Sequence, residues 1–179
     1  MEYAGDFLTV KVGLFVKEVS GIAGDFKIAT DKGEEFHSKA VLIASGSSRR
    51  KLVVEGAHNY ENKGLTYCAT CDGPMFADQD VIVVGGGNAA FETAAQLLAY
   101  CKSVTLINRS STFRADEITV KQTMKNPKFK AITEIEFVDV HGGDFVEGMT
   151  IKYNADGKTE KIPATGIFVE IGQIPNSNF

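Results

Sequence analysis

The sequence predicts an α/β fold built on a parallel sheet, and three observations carry that prediction. The apolar run Val81-Ile82-Val83-Val84 leads straight into Gly85-Gly86-Gly87-Asn88-Ala89-Ala90, a strand feeding a glycine turn. A helical stretch over 88–101 and a second strand over 103–107 follow it, then a polar turn and a helix over 115–126. Strand patterns near 134–139, 146–153, 158–163 and 166–172 then succeed one another as a β-meander. Strand, helix and strand with a parallel crossover, followed by a meander, describe a Rossmann-like nucleotide-binding unit.

The first part of the chain reads differently. Residues 8–44 are predicted to be β-structure: Leu8, Val10, Val12 and Leu14 alternate with polar or small residues, and Phe26 and Ile28 alternate with Lys27 and Ala29. Asp31-Lys32-Gly33 reads as a hairpin turn. The run 39–46, nearly continuous in apolar residues and stopped by Gly46, reads as a strand buried on both faces. Residues 46–66 are a mixed polar loop, with Ser47-Ser48-Arg49-Arg50 as the expected hinge between two units.

Totals exclude several functions. With 19 basic and 23 acidic residues, the charge balance gives no reason to expect nucleic acid or an anionic membrane as partner. No apolar run is long enough to span a bilayer, and Glu2, Asp6, Lys11 and Lys17 interrupt any signal-peptide core. Three cysteines, two of them in one short motif, do not make a secreted disulfide scaffold, so a cytoplasmic location is the expectation.

The glycine turn fits G-x-G-x-x-A. Gly85 allows the tight exit from the strand, a side chain at Gly87 would block a pyrophosphate, and the small Ala90 lets the helix approach the sheet. Gly86, Asn88 and Ala89 complete the loop, whose phosphate would sit at the amino end of the helix. Where an NAD site places a carboxylate at the end of the second strand, this chain has Asn108, then Arg109, Ser110 and, one loop later, Arg114. Two guanidinium groups with Ser110 suit a 2′-phosphate, so NADPH is expected in preference to NADH; the alternative is that Arg109 and Arg114 are surface charges.

Cys68 and Cys71 stand at i, i+3, close enough for a disulfide at the start of a helix, where a thiolate is favoured. Asp72 is placed to exchange a proton with the pair. One C-x-x-C supplies half a zinc site, and His37, His58 and His141 have no ligand spacing, so no metal is expected; two inert core cysteines are a further alternative. Cys101 reads as a buried packing thiol.

These residues resemble the low-molecular-weight, flavin-dependent thioredoxin reductases and the related flavoprotein reductases of peroxiredoxins. The resemblance runs over essentially the whole chain through Ala44-Ser45-Gly46, Cys68-Ala69-Thr70-Cys71-Asp72-Gly73, the glycine turn with Glu92, Arg109 through Arg114, and Gly166 through Ile171-Gly172 with Ile174-Pro175-Asn176. It implies that NADPH reduces FAD, that the flavin reduces a Cys68–Cys71 disulfide, and that the dithiol reduces a thioredoxin-like or peroxiredoxin-linked small protein. In such proteins Cys71 would face the flavin, Cys68 would attack the partner and Asp72 would handle the proton. Ala44, Ser45 and Gly46 would belong to the flavin side, and Gly85 to Ala89, Arg109, Ser110, Arg114, Ile171 and Gly172 to the nucleotide side. A homodimer is implied as well.

Three departures bear on this. Asn108-Arg109-Ser110 stands where the NADPH-type motif has His-Arg-Arg, and Lys63 to Tyr67 and Gly73-Pro74 resemble the peroxiredoxin-reductase branch, in which NADH is also used. The opening flavin-binding strand–glycine–helix unit and the closing Gly-Asp flavin motif are not found, so the chain should hold FAD weakly or not at all, although FAD belongs to the complete enzyme. The expected organisation is a partial FAD-domain remnant over 1–48, an NAD(P)H-binding domain with the dithiol over 49–173, and a return linker over 174–179. A cut fragment, a truncated gene product and half of a split enzyme all fit, and residues 8–44 would then expose apolar surface.

Overall fold

The structure, a computed structural model, describes residues 8–179, so the reading of residues 1–7 in the signal-peptide argument and the first predicted domain lies outside the described residues. The chain divides into two units: Met1–Ser48 with Pro175–Phe179, and Arg49–Ile174. Strands β4 (Ser47–Arg49) and β13 (Gln173–Pro175) carry the chain from one to the other.

The larger unit is organised by a five-stranded parallel sheet in the order β5-β12-β6-β7-β8. These strands are β5 (Leu65–Thr66), β6 (Asp80–Val84), β7 (Ser103–Ile107), β8 (Phe129–Ile132) and β12 (Gly166–Val169). Side chains alternate across a strand, so Val81 and Val83 face one side of this sheet and Ile82 and Val84 the other. Phe91, Ala94 and Leu97 of α2 (Asn88–Leu97) cover the first side, and all three are fully buried. The second side is covered by Val140, Met149, Ile151 and Ile162 from an antiparallel meander of β9 (Ile135–Gly142), β10 (Val146–Tyr153) and β11 (Thr159–Pro163). Being covered on both faces is why β6 can be apolar along its buried length.

Several boundaries move from their predicted places. Helix α2 ends at Leu97, and Cys101 follows it as a free, fully buried thiol. The helix expected over 115–126 is α3 (Glu117–Thr123), capped by Asp116, whose carboxylate accepts from the N–H groups of Ile118 and Thr119 at 3.0 and 3.1 Å. The last core strand stops at Val169, and Gly172 follows with φ 102. Strand β8 carries no clear alternation in sequence; it is a strand because it extends the parallel ladder of β7, pairing Val104 with Phe129 and Ile107 with Ile132.

The smaller unit is an antiparallel sheet of β1 (Val16–Ile22), β2 (Asp25–Thr30) and β3 (Glu35–Ser38), with the Asp31-Lys32-Gly33 turn between the last two. Two predicted strands are absent from it. Residues 8–14 form none, and neither does 39–46, where Leu42 is 93% and Ile43 56% exposed. The local reason at the second is a side-chain turn, in which the N–H of Ala40 donates to Ser38 Oγ at 3.1 Å and diverts the backbone from a ladder. Among the described residues no strand runs beside this segment to pair with it.

Phe91 anchors the helical side of the larger core, with the Phe113 ring 4.9 Å and the Phe129 ring 6.1 Å away between centroids. Phe91→Ala is expected to destabilise this unit by about 3–5 kcal/mol, read as a lowered urea midpoint.

Candidate functional site

Two adjoining clefts at the carboxyl ends of the parallel strands hold most of the residues singled out in the larger unit; Cys71 and Asp72 line neither, and Asp72 borders a separate groove. The first, about 590 Å³, is floored by the glycine turn. Gly85 takes φ 141, and a side chain there would run into the backbone of Glu170, which explains the first glycine. A Cβ at Gly87 would meet nothing within 4 Å, so the fold itself does not demand glycine there and leaves the position open to the cleft. Gly87 is the N-cap of α2 and offers no side-chain cap, which leaves first-turn N–H groups pointing at the cleft. That cradle fits the pyrophosphate of a nicotinamide dinucleotide.

The far wall of this cleft is basic. Arg109, Ser110 and Arg114 line it, while Arg50 borders the same cleft beside Gly172. Asn108 explains why: its side-chain amide donates to the carbonyls of Ser110 and Thr112, each at 3.0 Å, and so shapes the loop that presents both arginines. An aspartate could not make those two donations. The backbone of Arg114 is tied to the turn, its N–H donating to the Gly86 carbonyl at 2.8 Å. Arg109 lies 6.0 Å from the centre of the Phe137 ring, at the outer reach of a cation–π contact. Ile171 and Gly172 close the opposite edge, where the Gly172 carbonyl accepts from the N–H of Arg50 at 3.0 Å.

The second cleft, about 280 Å³, contains Cys68, Thr70 and Arg49 and shares Ala89, Glu170, Gly172 and Gln173 with the first. Cys68 and Cys71 are joined as a disulfide with Cα atoms 5.3 Å apart. The helix expected to lower a thiol pKa is a single turn, α1 (Ala69–Asp72), so its dipole contributes little. Cys71 is exposed and Cys68 half-buried. Gly73 closes the motif because Leu97 and Tyr100 occupy the place of a side chain there, Leu97 Cδ2 lying 3.1 Å from where a Cβ would stand. Cys101 is set apart from this chemistry: burial pushes its thiol up to about 11.

Glu170, Arg49 and Arg50 are site residues that the sequence reading did not single out; the two arginines appeared there only as hinge residues. The Glu170 carboxylate is buried on the shared wall, accepts from Arg49 at 3.0 Å and from the Thr93 hydroxyl at 3.1 Å, and burial raises its pKa in spite of Arg49. Their signal was the interruption of an apolar strand end by one acid, legible only once a basic partner is seen. Ala44, Ser45 and Gly46 lie in the smaller unit, exposed and outside any strand, with the Ser45 and Gly46 carbonyls each accepting from Asn176 at 3.1 Å. The described residues of that unit contain no glycine turn leading into a helix, so they do not make a phosphate cradle for FAD.

Residues 8–179 match the pyridine nucleotide-disulphide oxidoreductase family. The chain belongs to that family. Pyridine nucleotide-disulphide oxidoreductases depend on FAD and NAD(P)H. This family member is 40% identical over 146 residues to the thioredoxin reductase of Mycolicibacterium smegmatis, covering 81% of this chain and 47% of that one. It is 34% identical to an alkyl hydroperoxide reductase protein of Staphylococcus epidermidis, with 86% and 30% covered. Lactococcus lactis thioredoxin reductase superposes with a TM-score of 0.78 at 32% identity, over 93% of this chain and 55% of that one. The chain thus spans about half the length of the thioredoxin reductases it matches. No helix among the described residues is long and apolar enough to cross a membrane.

The Glu170–Arg49 pair sets a pH dependence. A carboxyl whose folded pKa is raised contributes stability that is present at low pH and lost as pH rises through the folded value. Arg49→Gln removes the charge that opposes this rise, so the loss deepens. The variant is expected to be about 1–2 kcal/mol less stable at pH 8 and nearer to wild type at pH 5, checked by urea denaturation at both values.

Proposed function

We propose that the larger unit is the NADPH-binding and dithiol half of a disulfide reductase, which passes reducing equivalents to the Cys68–Cys71 disulfide and on to a thioredoxin-like or peroxiredoxin-linked small protein. The observation that carries this reading is the continuity of the two clefts through Ala89, Glu170, Gly172 and Gln173, which joins a dinucleotide cradle to a redox-active pair. A nicotinamide supplies hydride and a flavin, when bound, couples it to thiol–disulfide chemistry.

The chain's own residues would do the following. Gly87 and the first turn of α2 bind the pyrophosphate, and Arg109, Ser110 and Arg114 hold the 2′-phosphate. Cys68 and Cys71 exchange a disulfide with the partner, and Asp72 exchanges the proton. Beside Asp72, an apolar groove of about 390 Å³ with the exposed Met75 and Phe145 on its walls suits a nonpolar contact from that partner. A cytoplasmic setting and a homodimer accord with the family resemblance and are part of this proposal.

The lack of a flavin cradle among the described residues of the smaller unit favours a second reading, in which this chain binds NADP(H) but needs further flavin-binding segments for turnover. The absorption spectrum after addition of FAD and gel filtration separates the two. A retained band that NADPH bleaches supports self-sufficient reduction; NADPH binding without retained flavin supports the second reading. Absence of NADPH binding overturns both.

For cofactor choice, replacing both Arg109 and Arg114 with Ala is expected to weaken NADPH binding about 10- to 100-fold, the worth of lost charge-assisted bonds, and to leave NADH within about threefold. Equal losses for the two nucleotides, measured by fluorescence titration, would overturn the 2′-phosphate assignment.

A further inference from the structure

We propose that Thr66 is a positioning residue for the dithiol, its hydroxyl linking the backbone of Cys68 to the carboxylate of Asp72. This rests on the disulfide-exchange reading above and adds to it the group that sets the acid in place.

Thr66 is the last residue of β5 and is 7% exposed. Parallel pairing opposite Phe168 of β12 holds its backbone in the sheet. A hydroxyl so buried must find partners, and Thr66 finds two in the redox motif. Thr66 Oγ1 donates to Asp72 Oδ2, and the N–H of Cys68 donates to the same Oγ1 at 3.3 Å. The two bonds run in series from Cys68 through Thr66 to Asp72. Within the motif, the N–H of Asp72 donates to the Cys68 carbonyl at 3.0 Å and that of Cys71 to Cys68 Sγ at 3.2 Å. A single-turn helix cannot hold its residues rigidly by itself; the hydroxyl transfers that task to the sheet.

The consequence is specific to one carboxylate oxygen. Oδ2 is occupied by the threonine hydroxyl, and no described donor is bonded to Oδ1, which is left to take or give a proton. Thr66 and Asp72 both border the apolar groove that also contains Phe76 and Val146.

The step served is balanced within the two proteins. One cysteine thiolate attacks a sulfur of the partner's disulfide, a mixed disulfide forms, and the other partner sulfur leaves as a thiolate. The second cysteine thiolate then attacks the mixed disulfide, the Cys68–Cys71 bond forms, and the second partner thiolate leaves. The two protons lost by the cysteines end on the two partner thiols, with Asp72 carrying them. No outside oxidant or reductant is consumed.

The test uses the full chain, reduced with a phosphine and freed of it, reacting with oxidised glutathione across a range of pH. Thr66→Val keeps the shape and removes the hydroxyl. It is expected to slow exchange about tenfold near neutrality and to move the midpoint of the pH–rate profile upward, because a carboxylate without its donor opposes a nearby thiolate more strongly. Thr66→Ser, which restores the hydroxyl, is expected to stay within about twofold of wild type with an unmoved profile. A melting curve checks folding, and Thr66→Ala replaces the valine variant if that one does not fold. Wild-type rate and profile in the hydroxyl-free variant would overturn the role of Thr66 alone. A reduced wild-type chain that reacts no faster than free cysteine would overturn the exchange reading and this inference with it.

Discussion

The parallel pairing of β12 between β5 and β6 is the constraint on which the candidate site depends. β12 enters the sheet only after the meander, yet it lies between two strands that come far earlier in the chain. Its register sets Ile167 against Leu65 and Ile82, and Val169 against Val84. One step beyond, the N–H of Glu170 donates to the Val84 carbonyl at 2.8 Å, so the strand end is drawn against the glycine turn. On its other edge the same strand fixes Thr66, two residues ahead of Cys68. The glycine turn and the Cys68–Cys71 disulfide, separate in sequence, are held at one end of one sheet by a single strand.

The two faces of that sheet have different tasks. On the α2 side, Phe91 and Leu97 bury against Val81, Val83 and Phe168, which fixes the amino end of the helix over the cleft. On the meander side, the packing of Val140, Met149 and Ile162 sets where Phe137 meets Arg109. Electrostatics then follows geometry. Arg109 and Arg114 of the basic wall stand on a surface loop, whereas Glu170 is buried and bonded to both Arg49 and Thr93. A buried acid of this kind stays in place only because its charge is compensated.

Family membership and the half-length match bear on how the smaller unit is to be read. Its three-stranded sheet is an antiparallel meander with a register shift between Val16 and Glu18 and a turn at 31–33, but Val12, Phe15, Ile22, Leu42 and Ile43 are all exposed. Those side chains follow the apolar patterning of buried strands without the neighbour that would bury them. The segment 39–46 shows the limit of an apolar pattern: it specifies what a strand would do in a sheet and cannot supply the sheet.

Sequence alone determined the elements whose signals are local. The strand–glycine–helix succession at 81–90 is legible because each residue type has one steric task there, and the closeness of Cys68 and Cys71 because three residues of separation allow a disulfide; that they are bonded is seen in the structure. The strands at 103–107 and 146–153 are legible because their apolar residues recur at strand spacing. Tertiary structure decided the rest. Strand β8 exists through its ladder with β7, and Asn108 acquires its meaning from two carbonyls that its loop brings within reach. Arg49 finds Glu170, and Thr66 finds Asp72, only after the chain has folded. Hydrogen bonds and ion pairs of this kind depend on distances between atoms, and those distances are set by packing the whole sheet.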